Sequence, residues 1–178
     1  MLISPEGEKG RLSFQNLVEA YAIKQLRRQG GVSTRRLRNA AIYYREQGFP
    51  RPFLNIKEDW LVGTGIYRIV GDDLVDATDW GQYVLRPIIN QYSSRVTYDN
   101  GQPVEFFPAF GQDGSRDVKV DPRIRFGHPA IAGTGIRTAT IWSRAQSGEK
   151  LRDIADGYAV EEHLAAAALR YEASRRIR

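Results

Sequence analysis

Cysteine is absent from the 178 residues, so neither a disulfide nor a thiolate metal site can form, and the chain suits a reducing cytoplasm. Histidine occurs only twice, at His128 and His163. Acid-base or metal chemistry at either would need carboxylates converging on the imidazole. Glu161 and Glu162 adjoin His163, yet neighbours along a helix are expected to point apart. No run of about 18 apolar residues exists, so no membrane span is expected. The first ten residues, MLISPEGEKG, have neither the basic start nor the apolar stretch of a secretion signal. Gly63-Thr64-Gly65 and Gly133-Thr134-Gly135 lack the spacing of a phosphate-binding loop, and no G-x-S-x-G nucleophile elbow occurs. The expectation is a protein with no catalytic residues, no metal and no cofactor.

What is present is a chain 42% apolar and 26% charged, enough for one or two small domains with real cores. Its net charge of +5 conceals a segregation. Residues 1–57 hold eleven bases against four acids, 58–120 five against ten, and 121–178 ten against seven. Basic flanks can hold a polyanion, while the acidic middle is left to solvent or to a basic partner.

Two helices are expected near the start. Ser13 is a candidate N-cap for a helix carrying Phe14, Leu17, Val18, Tyr21, Ala22 and Leu26, ended by Gly30-Gly31. Ser33 can cap a second, with Leu37, Ala40, Ala41 and Tyr44 inward and Gly48 as its stop. Between Lys24 and Arg51 lie eight bases against one acid, Glu46. Lys24, Arg27, Arg28, Arg35, Arg36, Arg38 and Arg45 are the candidate nucleic-acid-binding residues. Their contacts would be chiefly to phosphate, which gives affinity without sequence information.

From Trp60 to Val75 the β-branched and aromatic residues read as a hairpin turning at Gly71-Asp72-Asp73, and Asp79 as the cap of a helix reaching about Ser93. RVTYDNGQPVEFFP is a second hairpin, turned by Asn100-Gly101. The expected fold class is α+β: a helical and β-hairpin domain over 1–110, a linker over 111–116, and a C-terminal domain of three helices over 117–178. That last domain opens on a glycine- and proline-rich loop, with Gly127, Pro129, Gly133, Thr134 and Gly135 as structural bends. Helical patterns follow over Thr138 to Ser147, Glu149 to Asp156 and Val160 to about Ser174. Gly148 and Gly157 punctuate them, in the outline of a helix-turn-helix unit. The N-terminal residues of its last helix are Val160, Glu161, Glu162 and His163, whose two carboxylates suit the helix dipole and repel phosphate, which points that helix at a protein.

Asp121-Pro122, the G-x-P-x-x-x-G-T-x-I run from Gly127 to Ile136, the G-E-x-x-x-x-I-A-x-x-Y run from Gly148 to Tyr158, and Ala168 through Tyr171 together resemble domain-of-unknown-function family 433. That resemblance implies a VapB-like antitoxin module, encoded beside a PIN-like ribonuclease toxin that it binds and silences. RLSFQNLVEAYAIKQLRRQGGVSTRRLRNAAIYYRE is similar to the later helices of MerR-like DNA-binding domains. In those domains the groove-reading helices lie upstream, whereas only ten residues precede Arg11 here, so the resemblance covers a fragment. The expectation is that the natural start lies outside this chain or that the module is shortened. The function these resemblances imply is that of a type II antitoxin, as a homodimer or a toxin-antitoxin hetero-oligomer, that neutralises its ribonuclease and contacts promoter DNA. Candidate toxin-binding residues are Glu161, Glu162, Arg175, Arg176 and Arg178, the arginines because a ribonuclease holding Mg²⁺ with clustered carboxylates attracts cations. The alternatives are a DNA-binding transcriptional regulator without a toxin partner and, last, an enzyme acting on nucleic acid.

Overall fold

The structure is a computed structural model. It describes residues 2–3, 12–29, 31–46, 48–54, 92–110 and 115–176, and the backbone of 67–70 and 73–76. Mixed helix and strand make it an α+β fold, in two compact units that divide after Pro103.

The first unit begins with α1 (Phe14–Arg28), which starts where the Ser13 hydroxyl accepts from the Asn16 amide at 3.1 Å and the Asn16 side chain reaches back to the Ser13 amide at 3.3 Å. Helix α2 (Thr34–Glu46) follows, with the Ser33 hydroxyl accepting from the Arg36 amide at 3.3 Å. Val18, Ala22 and Leu26 share one face of α1, and Leu37, Ala40, Ala41 and Tyr44 one face of α2; all are buried. Phe53, Leu54, Tyr92 and Val96 complete this core. The Tyr92 and Tyr98 hydroxyls both donate to the Leu54 carbonyl, at 3.2 and 2.8 Å, and Tyr92 stacks on Tyr21 with ring centroids 5.8 Å apart. Burial raises the pKa of both Tyr92 and Tyr98 above that of a free phenol.

α2 ends in a Schellman turn, with the Phe49 amide bonding the Tyr44 carbonyl and the Phe49 ring packed edge-on to Tyr44. Strands β1 (Tyr67–Val70) and β2 (Asp73–Asp76) pair antiparallel with Val70 opposite Asp73. The helix expected from Trp80 lies outside the described residues, apart from its last two positions. Strands β3 (Val96–Asp99) and β4 (Gln102–Phe106) pair across Asn100-Gly101, where φ values of 48° and 76° make the left-handed turn that this dipeptide favours.

The second unit, Val104–Arg178, pairs β5 (Val118–Lys119) antiparallel with β6 (Ala130–Ile131) and then packs three helices: α3 (Thr138–Gln146), α4 (Leu151–Gly157) and α5 (Glu162–Arg176). Of the expected linker, residues 111–114 lie outside the described residues. The core is Ile131, Ile141, Ile154, Ala155, Ala165 and Ala168, and the alanines of α5 let α3 and α4 approach closely. Phe110, Val118, Ala167 and Tyr171 form a second cluster, with Phe110 edge-on to Tyr171.

The expected stop of α4 at Gly157 has a different cause from the one its sequence implies. Gly157 is not left-handed; a β-carbon there would meet the Arg144 guanidinium at 3.2 Å, so its use is close approach. The left-handed residue that ends α4 is Ala159, φ 53°, with the Val160 amide returning to the Ala155 carbonyl.

Candidate functional site

In the first unit the basic residues gather around the α1–α2 turn. Lys24, Arg27 and Arg28 share the outer face of the last turns of α1, at spacings of three and four. Arg35, Arg36 and Arg38 occupy the first turns of α2. All six are exposed, and none has an acidic partner among the described residues. Arg35 and Arg36 stand where the helix dipole disfavours cations, with no acid in that turn to offset them. Arg45 differs, because its guanidinium donates to the carbonyls of Leu2 at 2.9 Å and Pro50 at 3.4 Å and so ties the chain together. Arg51 pairs with buried Glu19 at 3.2 Å. The structure thus divides the basic run into six solvent-facing cations and two with structural partners.

In the second unit the glycine-rich loop is closed by its own hydrogen bonds. The Thr134 hydroxyl donates to the Ile131 carbonyl at 3.0 Å and accepts from the Ile136 amide at 3.1 Å, with Gly133 at φ 75° between them. The Pro129 carbonyl accepts from the Thr138 amide at 3.0 Å, fixing the loop to the start of α3. Thr138 also donates to buried Glu172 of α5 at 2.6 Å.

Upstream, buried Asp121 accepts from the Arg123 amide at 2.9 Å and from its guanidinium at 3.0 Å, with Lys119 at 3.9 Å. Those bonds to Arg123 hold the Asp121 carboxyl below the usual carboxylate range. After them comes a knuckle in which Arg125, Phe126 and Gly127 are consecutively left-handed, with φ of 51°, 57° and 73°. Phe126 at its tip is 98% exposed.

Beside this knuckle, Arg125, Gly135, Ile136, Arg137, Thr140 and Tyr158 line a cavity of about 380 Å³. The Arg125 Nε donates to the Gly135 carbonyl at 3.0 Å, which holds that guanidinium across the loop. Arg144 grips both oxygens of the Glu149 carboxylate and lies over the Tyr158 ring at 5.0 Å, so it positions the tyrosine. Its hydrogen bonds to Glu149 raise its pKa further.

Glu161 and Glu162 are exposed at the start of α5. Glu161 precedes the first helical turn and therefore reaches His163 at 3.1 Å, where neighbours within a helix would diverge. Arg175 lies near Glu172 at 3.7 Å and over the Tyr171 ring at 5.7 Å, while Arg176 lies over Trp142 at 4.9 Å. Both therefore contact their own unit, and Arg178 is outside the described residues. No cluster of three or more histidine and acidic residues suited to a metal occurs among the described residues, and no helix there is long and apolar enough to cross a membrane. Sequence reasoning passed over Phe126, Arg125, Arg137 and Tyr158; the one available signal was an aromatic residue set between an arginine and a glycine in a turn.

Residues 118–171, which hold the knuckle, the loop and the three helices as far as Tyr171, match the family model described as Protein of unknown function (DUF433). The chain as a whole is similar to a Mycobacterium tuberculosis protein named "Putative antitoxin VapB45", 27% identical over 88% of this chain and 69% of that protein. Its fold is that of the X-ray crystal structure of Rv2018 from Mycobacterium tuberculosis, with a TM-score of 0.66 and 21% identity over 89% of this chain and 78% of that one.

Proposed function

We propose that this chain is the antitoxin of a type II toxin-antitoxin pair, which binds and neutralises a PIN-like ribonuclease and contacts promoter DNA through the basic surface of its first unit. The observation that carries the reading is the similarity to a protein named as an antitoxin, which runs through both units rather than through residues 118–171 alone. The six exposed cations around the α1–α2 turn support the DNA contact, because like charges crowded without acids favour a polyanion. That surface taken alone would equally serve a transcriptional regulator without a toxin. The two readings separate first on whether a small PIN-like ribonuclease is encoded beside this chain, and then on co-expression with it. The antitoxin reading expects growth to be restored and the pair to co-purify. Continued toxicity with both proteins present and folded would leave only the regulator.

A further inference from the structure

We infer that the Arg125–Gly127 knuckle and the cavity beside it form a docking surface for an acidic segment of a partner protein, Phe126 anchoring the contact and Arg125 and Arg137 receiving a carboxylate. The inference deepens the antitoxin reading and rests on it for the identity of the partner.

Three observations converge. Left-handed backbone is disfavoured for a residue with a β-carbon, yet two such residues stand in succession at the tip, and neither is Asn or Asp. They are held by the Gly127 amide on the Ile124 carbonyl at 3.1 Å, the His128 amide on the Arg125 carbonyl at 3.2 Å and the Arg125 Nε on the Gly135 carbonyl, and strain held in this way is found at contact sites. What the strain presents is a phenyl ring 98% open to water, with no packing reward among the described residues. The adjoining cavity has two arginines and no acid in its lining, with Ile136 and Tyr158 as its apolar walls. Arg137 has no ion pair among the described residues and precedes the first turn of α3, whose dipole adds positive potential at the same place. Aromatic and arginine anchors beside a concavity are what protein contacts favour.

The charge around the cavity selects the occupant. Asp153 and Asp156 are exposed on α4 in the two turns before Tyr158, and Glu161 and Glu162 are exposed soon after it. A polyphosphate laid over this surface would meet those four acids, whereas a peptide can place one carboxylate between Arg125 and Arg137. A cavity of about 380 Å³ likewise suits one or two side chains rather than a nucleic-acid backbone.

The test uses the full chain, wild type and with Phe126→Ser or Arg137→Glu. Phe126 has almost no buried surface to lose, and a glutamate at the start of α3 suits the helix dipole, so both variants are expected to fold. Fluorescence anisotropy with a labelled peptide alternating Asp and Leu should show binding that each variant weakens on the order of tenfold, Arg137→Glu through a lost charge-assisted hydrogen bond and Phe126→Ser through lost apolar burial. The same peptide with Asn in place of Asp should bind wild type as weakly as the acidic peptide binds Arg137→Glu. Equal binding of the Asp and Asn peptides, or a labelled single-stranded oligonucleotide that binds more tightly and loses most to Arg137→Glu, overturns the inference, the latter in favour of nucleic acid. Capture of the co-expressed ribonuclease separates the two readings. Undiminished capture by both variants removes the knuckle as the contact and leaves the antitoxin standing. Peptide binding with the expected dependence but no capture by wild type removes the antitoxin and leaves the docking chemistry.

Discussion

Asp121 concentrates the residue-scale physics of the second unit, since one buried carboxylate receives an amide, a guanidinium and the field of an ammonium. Its pKa is lowered on folding, so its contribution is present above the ordinary aspartate pKa and is lost as pH falls through the depressed folded value. Asp121→Asn is therefore expected to cost about 2 kcal/mol at pH 7, the worth of bonds to a charged group. Urea unfolding at pH 7 and again near pH 3 should show the difference narrowing as the wild-type carboxyl protonates. A gap that stays constant with pH would mean the charge is idle and only shape matters. The left-handed residues give the opposite sign. Ala159 sits where helix ends normally place glycine, so Ala159→Gly should raise stability by about 1 kcal/mol. Thermal unfolding decides it, and a lower midpoint would show that its methyl group packs more than its backbone strains.

Among the elements, α2 opens with a contradiction that function can explain. Arg35 and Arg36 stand in its first turn, where anions stabilise a helix and cations cost about 0.3 to 1 kcal/mol each at exposed sites. Arg35→Glu with Arg36→Glu should accordingly make the chain slightly more stable while weakening the proposed hold on duplex DNA. For every phosphate that the variant no longer neutralises, the slope of log affinity against log salt should fall by about 0.9, to a similar degree on every sequence. A weakening confined to one operator would indicate base readout instead. The elements themselves were legible where their signals are local. Ser13 and Ser33 cap the helices that follow them, and Asn100-Gly101 turns its hairpin, because caps and two-residue turns depend on a handful of adjacent atoms. α4 ends at Gly157 as expected, but the left-handed residue that follows is Ala159. Glycine marks left-handed backbone only on average; here Ala159 takes that conformation, while at Gly157 a β-carbon would meet the Arg144 guanidinium. The cavity was not legible at all, since Arg125, Arg137 and Tyr158 are far apart in sequence and share no period. They meet only once the loop has folded against α3.

Across the whole molecule, cations appear in two different settings. In the first unit the six exposed cations of α1 and α2 crowd together around one turn with no acidic partner among the described residues, the arrangement that suits a continuous line of phosphates. Those of the second are spaced around a cavity or laid over Tyr158, Tyr171 and Trp142, with exposed acids nearby, the arrangement that holds discrete groups. Each unit has its own core, so the two surfaces are expected to act separately. On the proposed function, Arg35→Glu with Arg36→Glu should weaken DNA binding and keep the ribonuclease, whereas Arg137→Glu should weaken the hold on the ribonuclease about tenfold and keep DNA. The triple variant should show the two effects added, because coupling energies arise between residues that share partners or one packed network. Titration of all three variants against the ribonuclease and a promoter duplex measures this directly. A triple variant that falls well outside the sum would mean that one partner reads both surfaces. DNA binding and neutralisation would then be alternative uses of a single interface rather than two jobs on two units.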